Sequence, residues 1–256
     1  MNKSIKTAAL IALLVAGAAA LTAIYCVPVT FSADEACNAL WKDAAVCAAT
    51  AACAFALARL GGCTARLRQV KGDAAAKLKW CLPCLAVAAA NFPLSALIAG
   101  GAVIERADLI WLFLLKCLAI AACEELLFRG LVLELCEQLT AGRCRTPLAA
   151  ILISSAAFGL FHLFNLLAGA GAAQTALQAG YTFLTGIMYA FTAVRTGSIL
   201  PAIALHALYD AGGLIIADLG SGSPHDAAFW VLTAAAAALC AAHLTAYTIK
   251  NFIRKK

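Results

Sequence analysis

Long apolar runs separated by short polar segments recur along the whole chain. A helix needs about 20 consecutive apolar residues to cross the hydrocarbon core of a bilayer. Eight runs approach this length, so the pattern predicts an all-α fold: a polytopic membrane helical bundle with about eight transmembrane helices. The predicted spans are residues 7–27, 44–60, 80–104, 109–133, 148–168, 174–194, 198–219 and 227–249.

The composition agrees with a membrane protein. Of the 256 residues, 64% are hydrophobic and 12% are charged, whereas soluble domains average about 45–50% apolar and about 25% charged residues. The net charge of +6 does not indicate nucleic-acid binding, because fifteen of the nineteen Lys and Arg residues lie at the ends of apolar runs. Since such residues mark cytoplasmic loops, we expect a multi-pass protein of the plasma membrane with both termini cytoplasmic.

The first apolar run, residues 7–27, has two interpretations. Lys3 and Lys6 precede it, and small residues lie near its end, as in a signal peptide. The run is longer than a usual signal core, which favours a retained transmembrane helix.

The twelve cysteines do not form a recognisable disulfide pattern. Many lie inside apolar runs, where a thiol packs as a small apolar group. Cys81 and Cys84 have the spacing of a metal or redox pair, but no second CxxC pair accompanies them. We therefore expect a structural role for both.

Charged residues interrupt the fourth span, where Glu124, Glu125 and Arg129 lie within six positions. Charged groups at this depth are costly, so they usually face the bundle interior and mark function. Glu125 and Arg129 are four residues apart and share a helix face, where we expect an ion pair. Glu124 points about 100° away from Glu125 around the helix, which leaves it free for chemistry. Lys116, in the same span, is expected to snorkel toward the outer interface.

Two further spans carry polar residues at a similar depth: His162 in the fifth, and His206 with Asp210 in the seventh. At a rise of 1.5 Å per residue, Glu124 lies roughly 14 Å from the cytoplasmic end of its span, His162 about 21 Å and His206 about 12 Å. A carboxylate and an imidazole that reach one water can remove its proton, and a nearby donor can stabilise the resulting oxyanion. Alternatively, Glu124, His162 and His206 could hold zinc or another divalent cation. The sequence leaves both kinds of hydrolytic site open, with or without a metal cofactor.

Three motifs resemble those of a known family. The EExxxR of Glu124–Arg129, the FxxxH of Phe158–His162 and the HxxxD of His206–Asp210 are similar, in order and in span, to motifs of the CPBP family of intramembrane proteases. This family is also called the CAAX protease and bacteriocin-processing family, or the ABI family. The segment from Gly186 to Pro201 is similar to the one that precedes the family's last motif. The resemblance covers about residues 109–219.

The resemblance implies an intramembrane endopeptidase that acts on a membrane-associated or lipidated, CAAX-like protein or peptide. Three pairs match the family's functional positions: Glu124 and His162, which would activate water; His206 and Asp210, which would stabilise the oxyanion; and Glu125 and Arg129, the supporting ion pair. The family often has Asn where this chain has Asp210, and a carboxyl group donates a hydrogen bond only when protonated. Asp210 would then stabilise the oxyanion, orient His206 or ligate a metal.

The predicted organisation has three parts. Residues 1–108 would form N-terminal transmembrane helices with a basic cytoplasmic loop, residues 109–219 a catalytic core like that of CAAX proteases, and residues 220–256 a C-terminal transmembrane helix with a basic tail.

Two other classes of function stay open at this point. Buried Glu and His residues also occur in proton-coupled transporters, although the sequence shows no inverted repeat with broken helices. A non-catalytic immunity or scaffold protein of the membrane is the other class. For each class the bilayer is a partner, and the sequence alone identifies neither a substrate nor an oligomeric state.

Overall fold

The computed structural model describes residues 29–70, 72–141, 146–167 and 169–253, which form a helical bundle with one small β-ladder. The predicted span at residues 7–27 lies outside these ranges. The α-helices, in chain order, are α1 Glu35–Leu60, α2 Ala74–Trp80, α3 Leu82–Ala90, α4 Leu94–Ile98, α5 Ile110–Glu125, α6 Leu133–Thr140, α7 Leu148–Phe161, α8 Ala172–Thr196, α9 Leu200–Leu219 and α10 Ala227–Thr248.

Short segments of other helix types continue several of these helices. The π-helix Leu126–Val132 joins α5 to α6, so the chain is helical from residue 110 to residue 140. The 3₁₀ turn His162–Leu166 follows α7, and the π-helix Ile249–Ile253 follows α10. π-Helical insertions are rare in proteins overall, but those that occur often lie at functional sites. The segment Leu126–Val132 is therefore a candidate part of a functional site.

Within the described ranges, four helical stretches are long and apolar enough to cross a membrane. They are Glu35–Leu60, Leu148–Leu166, Leu200–Leu219 and Ala227–Ile253. Large apolar side chains such as Trp111, Leu167 and Trp230 are exposed on the bundle surface, as expected where the surrounding solvent is lipid. These features support an integral membrane protein, while the total of eight spans and their orientation stay predictions.

The prediction of one continuous span over residues 80–104 is wrong. The chain instead forms α3, α4 and a short strand, with a break at residues 91–93. Pro93 has no N–H group to continue the helix, and the Asn91 side-chain amide donates to the carbonyl oxygen of Tyr209 at 2.7 Å. Gly100 then turns the chain with φ of +75°. Counting apolar residues missed these helix-breaking positions.

The β-ladder joins two segments at one end of the bundle. β1, Ala102–Ile104, pairs antiparallel with β2, Gly220–Gly222, with Ala102 opposite Gly222. A Cβ atom at Gly220 would collide with the carbonyl oxygen of Val103, so glycine is required for this close approach. The ladder holds the end of α9 in place.

The predicted polar residues lie on α5 and its π-helical continuation, on α9 and directly after α7, and these helices pack in one region. α5 contacts both α1 and α9, and α8 contacts both α7 and α9. Phe113 of α5 and Ile215 of α9 lie in one buried cluster with Leu40 of α1. Tyr189 of α8 and Leu205 of α9 belong to another, which α3 and α10 complete.

Residues 61–70 of the basic loop dock against the ends of these helices. An Arg66 side-chain nitrogen lies 2.7 Å from a carboxylate oxygen of Glu137. The Arg66 carbonyl accepts a hydrogen bond of 3.1 Å from the Ile199 amide, immediately before α9. The Ala65 amide donates to Glu134 on α6 at 3.1 Å. The loop therefore ties α6 to the start of α9.

Lys116 does not snorkel as predicted, because two carboxylates bind its ammonium group inside the bundle. Its Nζ atom lies 2.8 Å from Asp43 on α1 and 3.0 Å from Asp218 on α9. Only 10% of its side chain is exposed. This ionic contact links the same three helices that pack through Phe113.

Candidate active site

The ion pair of Glu125 and Arg129 lies at the centre of the buried polar residues. Arg129 Nη1 donates to Glu125 Oε1 at 2.8 Å, and neither side chain has any exposed surface. Arg129 Nη2 donates to the Gly186 carbonyl oxygen at 3.2 Å. The guanidinium carbon also lies 4.4 Å from the ring centre of Phe158, within the range of a cation–π contact. Protein groups thus bind both terminal nitrogens of the guanidinium, while its buried Nε atom has no hydrogen-bond partner among the described residues.

Gly186 makes room for the guanidinium group. A Cβ atom at this position would lie 3.2 Å from Arg129 Nη2, from Phe158 Cδ1 and from Ser155 Cβ. These distances are shorter than most real Cβ contacts, so the three neighbours would have to move by a few tenths of an ångström. We infer that the position needs glycine because α8 passes directly beside the ion pair.

Replacing Gly186 by alanine is expected to lower the stability of the protein by about 1–3 kcal/mol, the usual penalty for overpacking a filled core. Gly180→Ala is a matched control on the same helix, since a Cβ atom there would have no neighbour within 4 Å. The control is expected to be neutral or to stabilise by up to about 1 kcal/mol through helix propensity. Thermal unfolding in detergent measures both variants, and equal midpoints would contradict the packing argument.

His206 faces carboxylates at both of its ring nitrogens. Nδ1 lies 2.9 Å from Glu125 Oε1. Nε2 lies 3.5 Å from Glu124 Oε2 and 3.5 Å from Asp210 Oδ2. Because an ionised carboxylate only accepts hydrogen bonds, Nδ1–H donates to Glu125. That bond directs Nε2 toward the other two carboxyl groups.

Glu125 therefore has two partners rather than one. Its Oε1 atom accepts from Arg129 and from His206, so the ion pair also orients the imidazole. Helical spacing predicts the contact to Arg129 alone, because it relates only residues of one helix. The contact to His206 joins residues 81 positions apart, and it depends on how α5 packs against α9.

Glu124 is the more accessible of the two adjacent carboxylates. Its side chain is 20% exposed, whereas that of Glu125 is fully buried. Among the described residues, the polar contact of Glu124 is the one to His206 at 3.5 Å. Of the adjacent pair, Glu124 is therefore the carboxylate with surface open to a bound molecule.

His162 begins the 3₁₀ turn after α7 and is held in one tautomer. Its Nδ1 atom lies 2.9 Å from the carbonyl oxygen of Phe158. A carbonyl oxygen can only accept, so Nδ1 carries the proton and Nε2 of the neutral ring has a free lone pair. The Phe158 ring contacts His162 at 5.1 Å and His206 at 5.9 Å between ring centres. One phenyl ring thus links the two histidines.

The structure brings most of the predicted residues into direct polar contact but leaves His162 outside this group. Within the residues that it describes, no hydrogen bond joins His162 to Glu124. The residues in direct contact are Glu124, Glu125, Arg129, His206 and Asp210.

Asp210 leaves one polar atom unused. Its Oδ2 atom is buried and has no hydrogen-bond partner among the described residues, although His206 Nε2 lies 3.5 Å away. Buried polar atoms without a partner are uncommon and call for an explanation. A substrate oxygen bound beside a protonated Asp210 would supply that partner.

The predicted metal ligands Glu124, His162 and His206 are not grouped as a metal cluster in this structure. Across the described ranges, no group of three or more His, Cys, Asp or Glu residues could hold zinc or another divalent ion. The Phe158 carbonyl fixes the His162 tautomer and leaves Nε2 as the free nitrogen of that ring.

Fold and site together define an integral membrane protein with a network of ionisable side chains buried between its helices. Residues 106–212 match the family model named Rce1-like, described as type II CAAX prenyl endopeptidase Rce1-like. This match spans the three motifs from Glu124 to Asp210, confirms the predicted resemblance, and is consistent with the CPBP family. It supports a membrane protease. Comparisons with curated proteins and with solved structures find no match.

Proposed function

We propose that this chain is an intramembrane endopeptidase that hydrolyses a peptide bond of a membrane-associated or lipidated, CAAX-like protein or peptide. The observation that carries the proposal is the buried network in which His206 contacts Glu124, Glu125 and Asp210. Such a group of ionisable side chains is costly to bury and is expected to serve function. The match of residues 106–212 to a family of endopeptidases supports the same reaction class.

Glu124 and His162 are the proposed bases. Glu124 is accessible, and the neutral His162 ring presents a free lone pair at Nε2. A water between them would lose a proton to this pair as its oxygen attacks the scissile carbonyl carbon. The carbonyl oxygen then becomes an oxyanion in a tetrahedral intermediate. When the C–N bond breaks, the proton passes to the leaving amine.

His206 is the proposed stabiliser of the oxyanion. Its Nδ1–H bond to Glu125 is already made, so donation from Nε2 requires the doubly protonated ring. The carboxylates of Glu124 and Glu125 lie within 3.5 Å of its ring nitrogens and stabilise a positive charge there. A donor that is fixed before the reaction stabilises developing charge without reorganisation. Asp210, when protonated, would add a second donor.

The experiment uses the purified full-length protein in detergent and a peptide that ends in a prenylated CAAX sequence. We expect the wild type to release the terminal residues, and His162→Ala to lower turnover by about 10²-fold or more. His243→Ala is the control, because His243 contacts Trp80 and lies outside the network. An unprenylated peptide and a transmembrane peptide test the lipid requirement. Absence of wild-type cleavage with all three peptides would refute the proposed function.

A further inference from the structure

His206 is also contacted on the face of its ring, by a residue of a different helix. Tyr189 of α8 stacks on the imidazole with ring centres 4.7 Å apart and an angle of 17° between the planes. Near-parallel rings at this separation attract each other when they are offset. Tyr189 has no exposed surface, so neighbouring side chains hold its ring in place.

The aromatic ring of Tyr189, and not its hydroxyl group, makes this contact. The Oη atom is buried and has no hydrogen-bond partner in the described part of the chain. An unpaired buried hydroxyl does not stabilise a protein. Phenylalanine would therefore preserve the interaction with His206.

The hydrogen bonds of His206 leave its orientation only partly fixed. Rotation about the bond between Cβ and the ring is soft in histidine. Nδ1 is bound to Glu125 at 2.9 Å, but the distances of 3.5 Å from Nε2 to Glu124 and to Asp210 exceed a normal N–H···O hydrogen bond. Tilting the ring about Nδ1 would thus move Nε2 at little energetic cost. A flat partner on the face of the ring opposes that tilt.

Other aromatic and cationic groups complete the support of the ring. Phe158 contacts His206 edge to face, with planes at 76°. The Arg129 guanidinium carbon lies 5.4 Å from the Tyr189 ring centre and 4.4 Å from that of Phe158. Tyr189 and Phe158 thus both contact His206 and both lie beside the cation that binds Glu125.

We propose that Tyr189 is a positioning residue that holds the plane of the His206 imidazole by stacking, so that Nε2 stays directed at the reacting carbonyl oxygen. The proposal rests on the proposed peptidase function of the same site. Tyr189 touches neither the water nor the substrate in this scheme. It acts only through His206.

The test compares Tyr189→Phe and Tyr189→Leu in the peptide-cleavage assay. Tyr189→Phe keeps the ring and is expected to retain kcat within about twofold. Tyr189→Leu removes the ring and is expected to lower kcat by about 10–100-fold, the effect of a small misplacement in an active site, with KM little changed. Phe113→Leu is the matched control: Phe113 is equally buried, in a different cluster, and its loss should lower stability without lowering kcat.

A second measurement reads the imidazole directly and does not depend on activity. The ¹⁵N resonances of His206, assigned by their loss in His206→Gln, should form one sharp set in the wild type and in Tyr189→Phe. In Tyr189→Leu they should broaden or split. If the Leu variant does not fold, Tyr189→Met replaces it with the same expectations.

The outcomes separate this inference from the function on which it rests. An active wild type with an unchanged kcat in Tyr189→Leu would overturn the positioning role and leave the peptidase proposal intact. An equal loss of kcat in the Phe and Leu variants would overturn it too, because the hydroxyl would then matter. If the wild type were inactive, the proposed function would fail, and the ¹⁵N spectra alone would decide whether Tyr189 holds the ring.

Discussion

The Glu124→Gln protein is expected to fold like the wild type and to cleave the prenylated peptide about 10²–10⁴-fold more slowly, the range associated with a positioned acid–base group. Glutamine has the shape of glutamate but cannot take the proton of water. Glu124 is partly exposed, and its described polar contact is the one to His206 at 3.5 Å; His206 keeps its bond to Glu125 after the replacement, so no buried charge is left without a partner. Turnover and the thermal unfolding midpoint are measured on the same preparation.

Glu134→Gln is the matched control for this change. Glu134 is buried, and both of its oxygens accept from the Ala65 amide, outside the network. The single oxygen of glutamine can still accept from that amide, so turnover should be unchanged. Wild-type turnover in Glu124→Gln would remove Glu124 from the mechanism.

Arg129→Met is expected to cause the largest loss of stability, about 3–5 kcal/mol, because it removes the guanidinium group from the buried Glu125 carboxylate and leaves His206 to hold that charge. Arg129 and Glu125 have no exposed surface, so water cannot take over the lost interaction. Arg129→Lys should recover only part of the loss, since an ammonium group cannot reproduce the planar contacts to Glu125 and Gly186. Thermal and denaturant unfolding in detergent measure the series.

A second substitution distinguishes the loss of a buried ion pair from a simple loss of packing. Adding Glu125→Gln to Arg129→Met removes the buried carboxylate that has lost its guanidinium partner, so the double variant should be more stable than Arg129→Met alone. Arg195→Met, a change to a half-buried arginine beside Tyr247, serves as the control and should have a much smaller effect. If Arg129→Met matched this control, the ion pair would have no structural importance.

Helical periodicity and residue depth could predict relations within one helix but not contacts between helices. Four-residue spacing on an α-helix predicts that Arg129 meets Glu125, and the pair forms although Arg129 lies in the π-helix Leu126–Val132. The bond from His206 to Glu125 and the stacking of Tyr189 depend on the packing of α9 against α5 and α8. Nothing in a single sequence encodes those distances directly.

Two errors in the predicted fold have a related physical cause. A hydropathy average sums apolar character over a window, so it predicts one helix over residues 80–104 although Asn91, Pro93 and Gly100 interrupt it. The prediction for Lys116 likewise assumes an isolated cation that must reach water. Its partners Asp43 and Asp218 lie on two other helices, and only the packed bundle brings them within reach.

The predicted metal set shows the limit of residue type as a guide. Glu, His and His are suitable zinc ligands, but ligands must also have free donor atoms that point to one centre. In the fold, Nδ1 of His162 is bound to the Phe158 carbonyl and Nδ1 of His206 to Glu125, so Nε2 is the remaining donor atom of each ring. The direction of each Nε2 atom depends on helix packing, which the sequence does not encode, and no group of three such ligands forms among the described residues.

Cleavage of the prenylated peptide in ¹⁸O-labelled water tests most directly whether the buried network is a hydrolytic site. Mass spectrometry of the products should show one ¹⁸O atom in the new terminal carboxyl group with the wild type, and neither label nor product above background with Glu124→Gln and His162→Ala. Labelled product formed equally by the wild type and by both variants would contradict the assignment of the site. The absence of any cleaved product from folded wild-type protein would contradict hydrolysis itself.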